Sequence, residues 1–131
     1  MDAQTQDLTG VWNGLYSYSD GRSVTFVATL IESGRTLTGS THEPCVGADC
    51  PARTLFASLM GSRDGSGVSF RKTYETVSPR FGTVNYEGRL NGDATEIEGR
   101  WTIPGVSSGK FMMIRPLREA LTEEHKQSAK T

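Results

Sequence analysis

The sequence predicts an all-β protein, an eight-stranded antiparallel up-and-down barrel with a short C-terminal helix. Three observations carry this. Short runs rich in β-branched and aromatic residues recur at roughly 8–12-residue spacing, with turn signals between them. No helix-period segment separates the runs, so parallel βαβ units are not expected. Finally, Gly10-Val11-Trp12 opens the first run and Arg115 closes the last. In a closed meander with an even number of strands, the first and last strands pair antiparallel, and Trp12 meets Arg115. A guanidinium over an indole face contributes about 0.5–2 kcal/mol.

The elements follow in order. Leu8 to Tyr18 is the first run, and Ser19-Asp20-Gly21-Arg22 is a turn in which glycine supplies positive φ. Val24 to Glu32 is rich in β-branched residues. Ser33-Gly34-Arg35 turns the chain into Leu37 to His42. Glu43 to Arg53 reads as an irregular stretch with two prolines and both cysteines. Leu55 to Ser62 is the fourth strand, and Arg63-Asp64-Gly65-Ser66-Gly67 turns into Val68 to Glu75. Thr76 to Phe81, with Pro79, connects to Thr83 to Leu90. Asn91-Gly92-Asp93 is a hairpin signal before Glu96 to Ile103. Pro104-Gly105 ends that strand, and Gly109 to Arg115 is the eighth. Pro116 suits a first helical position, and Leu117, Ala120, Leu121 and Glu124 follow helical spacing. A helix over about 117–126 is expected, packed outside the barrel by Leu117 and Leu121, with frayed ends beyond it.

Composition bounds the function. The 131 residues suit one domain with one core. A formal net charge of -1 and the lack of a basic stripe exclude nucleic acid as the main partner. No apolar run approaches the roughly 18–20 residues of a membrane-spanning helix, so no membrane partner is expected. Met1 to Asp7 is polar, without the basic start and apolar run of a signal peptide, which makes cytoplasmic the expected location. Fifteen glycines exceed the usual roughly 7%, and their even spread indicates turns and bulges rather than a linker.

Gly10-x-Trp12 on the first strand, with Arg115 on the last, resembles the signature of the calycin superfamily, which includes lipocalins, fatty-acid-binding proteins and avidin-like proteins. Asp7-Leu8-Thr9-Gly10-Val11-Trp12-Asn13 is similar to the opening of avidin-like chains, and the trailing helix resembles the lipocalin arrangement. The resemblance implies Gly10, Trp12 and Arg115 as closure residues and a lumen that holds a small molecule. Avidin-like proteins place a polar biotin contact two residues after the Trp. Gly14 stands there, and Asn13 has the opposite parity, so biotin is not expected. No cofactor is expected either: a haem ligand would have to be His42 or His125, and His125 falls in the tail.

With Trp12 inward, alternation turns Gly14, Tyr16 and Tyr18 inward too. The same parity collects Phe26, Phe70, Lys72, Tyr74, Tyr86, Trp101 and Phe111 on later strands. The predicted function is non-catalytic binding of a small, largely apolar ligand in this lumen, by Tyr16, Tyr18, Phe70, Lys72, Tyr74, Tyr86 and Trp101. Glycines 14, 88 and 99 would leave room for it. The buried hydroxyls and Lys72 would find partners on the ligand.

The alternative is a structural or protein–protein interaction barrel with a filled core. It would act through the outer wall (Phe56, Met60, Met112, Ile114) or the Cys45–Cys50 loop, and a homo-oligomer is one form of it. Cys45 and Cys50 read either as a local disulfide, depending on compartment, or as free thiols. A zinc site of His42, Cys45, Cys50 and Asp49 or Glu43 lacks the second ligand pair of structural sites, so no metal is expected. Glu87-Gly88-Arg89 and Glu98-Gly99-Arg100 repeat across one hairpin and read as outward charge pairs. Arg80 reads as a solvated loop charge. No nucleophile elbow, phosphate loop or paired carboxylate cluster appears, so His42 has nothing to act on and an enzyme is not expected.

Overall fold

The computed structural model describes residues 7–45, 53–78 and 81–116. Eight strands form: β1 Gly10–Tyr18, β2 Ser23–Ser33, β3 Thr36–Pro44, β4 Thr54–Asp64, β5 Gly67–Ser78, β6 Phe81–Leu90, β7 Glu96–Ile103 and β8 Ser107–Ile114. Each pairs with its chain neighbour, and β1 pairs with β8, closing an up-and-down antiparallel barrel. The expected barrel is the observed one. The expected helix over 117–126 lies outside the described residues.

Alternation does the sorting. Trp12, Gly14 and Tyr16 point in, while Val11, Asn13 and Leu15 point out. Phe26, Ala28 and Leu30 follow on β2, and Ile97 and Trp101 on β7, all buried. The inward set was legible because a two-residue period leaves one choice of face once Trp12 is placed.

Several boundaries differ from the sequence reading, and three of these bear on buried or closing residues. β3 continues through Glu43 to Pro44, because each of its residues from Thr36 has a register partner on β4. β4 runs on to Asp64, so Arg63 is not a turn residue but a buried strand residue. Its Nη1 lies 3.1 Å from Glu32 Oε1, and its Nε donates to the Gly65 carbonyl at 2.8 Å. Arg115 lies just beyond the end of β8 rather than within it.

One end of the barrel is sealed. The Arg115 guanidinium lies 4.4 Å from the Trp12 ring centroid. Its Nε donates to the Ala94 carbonyl and its Nη2 to the Asp7 carbonyl, each at 2.9 Å. Trp12 Nε1 donates to the Leu8 carbonyl at 3.0 Å. Ala94 is held at a φ of 57°, the one described non-glycine residue with positive φ. The turn around it is locked by the Asn91 side chain, which accepts from Thr95 N and Glu96 N. One guanidinium thus joins the start of β1, the β6–β7 turn and the end of β8.

This contact predicts a measurable coupling. In a double-mutant cycle of Trp12→Leu and Arg115→Met, urea unfolding is expected to give an interaction energy of about 0.5–2 kcal/mol. Simple additivity would show that closure does not depend on the pair.

Candidate functional site

The interior is layered. Near the sealed end lie Trp12, Leu30, Leu37, Ile97 and Met113. In the middle, Phe70 stacks on Tyr86 with centroids 4.9 Å apart, and Phe111 meets Tyr86 edge-on at 5.0 Å. Toward the open end the polar groups collect.

Glu43 is the residue that sequence reasoning placed wrongly. It was read as the start of an irregular stretch. The extension of β3 gives it the inward parity of Leu37 and Thr41, and it is 3% exposed. Its Oε1 accepts from Lys72 Nζ at 2.6 Å and from Tyr74 Oη at 2.7 Å. Its Oε2 accepts from Tyr16 Oη. The signal was present: alternation continues past His42, and an inward lysine needs a counter-charge. The buried hydroxyls and Lys72 therefore have a partner from β3, and a ligand is not required to supply one. His42, the adjacent residue, faces outward beside Phe56.

Lys72 is 1% exposed and sits in a cage of rings. Its Nζ lies 4.7 Å from the Tyr74 centroid, 5.0 Å from Tyr16, 5.2 Å from Phe26 and 5.8 Å from Tyr86. Burial lowers the Lys72 pKa from its ordinary value, opposed by the Glu43 charge and hydrogen bond. Burial raises the Tyr16 phenol far above its ordinary value, reinforced by Tyr74 and Glu43. Burial followed by Glu43 does the same to Tyr74 and Tyr86.

The expected room over the glycines is filled. A Cβ at Gly14 would fall 2.2 Å from the Phe26 ring, which lies across that position. A Cβ on Gly88 would meet Phe111 and the Glu98 carbonyl at 2.8 Å, and one on Gly99 the Glu87 carbonyl at 1.9 Å. At these two positions glycine permits close strand crossing instead of leaving space in the lumen. Their bare backbone, with Phe111, floors a depression of about 770 Å³ on the outer wall. Cross-strand neighbours Glu87, Arg100 and Lys110 line one side of it, and Arg89, Glu98 and Met112 the other. The charge pairs expected from the repeat are register partners, Glu87 with Arg100 and Arg89 with Glu98. Phe56, Met60, Met112 and Ile114 are exposed on the outer wall.

A smaller pocket of about 70 Å³ opens at the unsealed end. Tyr16, Tyr18, Tyr74, Val84, Tyr86, Trp101 and Ile103 wall it, with Gly82. Five of the seven sequence-selected lumen residues are in that wall; Phe70 and Lys72 are not. Thr41 Oγ1 is buried with no hydrogen-bond partner among the described residues. Cys45 is disulfide-bonded, while Cys50 and Arg80 lie outside the described residues.

Neither a family model nor a curated protein matches the chain. Its fold is similar to two solved structures. One is a redesigned β-barrel, 18% identical with a TM-score of 0.62, covering 83% of this chain and 91% of that one. The other is from the de novo design of a fluorescence-activating β-barrel, 13% identical with a TM-score of 0.63, covering 88% of this chain and all of that one. These likenesses show the eight-stranded barrel architecture and no calycin family.

Two outcomes are expected. Glu43→Gln leaves the Lys72 ammonium buried without a counter-charge and should cost about 3–5 kcal/mol in urea unfolding. Pairing Glu43→Leu with Lys72→Met should restore most of it; a loss under about 1 kcal/mol for the single change would contradict the role of the pair. Alkali is the second test. The folded barrel keeps the Tyr16, Tyr74 and Tyr86 protons at a pH where the unfolded chain has lost them. Stability is therefore whole below about pH 10 and falls by about 4 kcal/mol per pH unit above it. The lowered Lys72 pKa acts with the opposite sign, raising stability only up to about pH 10.4, where the unfolded lysine also loses its proton. Phenolate absorbance from all four tyrosines appearing at about pH 10, without unfolding, would refute the tyrosine shifts.

Proposed function

We propose that this barrel binds a small, largely apolar molecule at its open end and does no chemistry on it. The observation that supports this is the pocket between Tyr16, Tyr18, Tyr74, Val84, Tyr86 and Trp101, where the interior aromatic surface reaches solvent. Burial of ligand surface against rings, with a few polar atoms to orient it, is the usual logic of such sites.

The polar cluster beneath is a rigid floor rather than a reaction centre. Both Glu43 oxygens accept hydrogen bonds, and Lys72 is held between that carboxylate and the rings. Neither residue lines the pocket. The filled middle layer limits the ligand to what the mouth admits. An eight-stranded barrel interior is just wide enough for side chains to fill or for one small ligand, and this chain uses both options at different depths. The fluorescence-activating design shares the architecture only.

tert-Butylethanol serves as an uncharged apolar probe. It should raise the unfolding free energy of the native chain logarithmically with concentration, by about 2.7 kcal/mol at a hundred times its Kd. Val84→Phe, which fills the pocket from one wall, should fold and lose that response. An unchanged response in Val84→Phe, or none in the native chain, would remove the mouth as the site.

A further inference from the structure

The chemistry of the mouth pocket is one-sided, and this deepens the reading just given, on which it rests. Three of its hydrogen-bond donors are turned away, which leaves only the Tyr18 and Tyr86 hydroxyls in the wall. Tyr16 and Tyr74 donate their hydroxyl hydrogens to Glu43. Trp101 Nε1 donates to the Ser17 carbonyl at 3.0 Å. The interior cation, Lys72, is 2.6 Å from Glu43 and outside the pocket wall. A ligand carboxylate or phosphate would lose its hydration and gain neither a cation nor these donors.

What the pocket offers is ring surface. Tyr18 and Trp101 meet edge-to-face at 5.2 Å, and Tyr16 lies 5.8 Å and 6.1 Å from them. Aromatic faces carry the negative end of the ring quadrupole. Donation to a carboxylate polarises the Tyr16 and Tyr74 phenols toward phenolate, which strengthens that face. The interior already shows what such surfaces accept, since the Lys72 ammonium lies within 5.8 Å of four ring centroids.

Size narrows the choice. The pocket volume of about 70 Å³ is roughly half that of a cavity known to take up benzene. A primary ammonium entering here would need acceptors for three N–H groups. A quaternary trimethylammonium needs none, and its methyls fill apolar wall while its charge faces the rings.

We propose that the mouth pocket takes the quaternary trimethylammonium head group of a small ligand. The charge of the Glu43–Lys72 pair sums to zero below it, so the rings, not a free carboxylate, supply the selectivity.

Three probes of similar shape decide this: choline, tert-butylethanol (3,3-dimethylbutan-1-ol) as its uncharged analogue, and the carboxylate tert-butylacetate (3,3-dimethylbutanoate) as an anionic one. Intrinsic fluorescence reads binding at Trp101, because Trp12 is fully buried at the sealed end. Choline is expected to bind at least about tenfold more tightly than tert-butylethanol, and tert-butylacetate not at all. Tyr18→Leu should abolish the preference for choline while leaving the circular dichroism unchanged. If the alcohol binds as tightly as choline, or the carboxylate binds more tightly, the cation inference falls and the apolar pocket stands. If none of the three changes the fluorescence, both fall.

Discussion

A carboxylate inside an apolar barrel is tolerable only where a cation and hydrogen-bond donors converge on it, and the open half of this molecule is arranged around that requirement. Glu43 comes from β3, Lys72 and Tyr74 from β5, Tyr16 from β1. Hydrogen bonds to one side chain therefore tie three strands together across the lumen, not merely along the sheet. They also fix which way the hydroxyls point. The character of the mouth, rich in ring surface with the Tyr16 and Tyr74 donors already engaged, follows from a charge that does not line the pocket.

Much of the fold was legible. Strand alternation, turn glycines and the chain-end pair Trp12 and Arg115 give the barrel because each is a local rule that agrees with the global closure. The interior composition was legible for the same reason. Glu43 was not, because Pro44 and Cys45 beside it look like the start of a loop. Only pairing with β4, which is non-local, extends β3 far enough to turn Glu43 inward. The filled space above Gly14 was hidden for a related reason. Parity says that the position faces in, but not that the ring of Phe26, its register partner on β2, will lie across it.

The middle layer divides the lumen. Phe70, Tyr86 and Phe111 form a continuous ring contact between the hydrocarbon packing of the sealed end and the polar cluster. Tyr86 belongs to both regions: its ring stacks on Phe70, while its oxygen accepts from Lys72 Nζ at 3.5 Å. Each end of the barrel carries an ion pair, Arg63–Glu32 beside the hydrocarbon packing and Glu43–Lys72 beyond the ring layer, and buried apolar surface offsets their desolvation.

The sealed end has an evolutionary consequence. Closure is concentrated in Arg115, Trp12 and the turn at Ala94, all remote from the mouth. The β1–β2 and β7–β8 connections lie at the opposite end and carry none of these residues. Substitutions and length changes there can accumulate without reopening the barrel, as surface loops generally allow. A lineage built on this plan could alter what it recognises many times over while its base stayed the same.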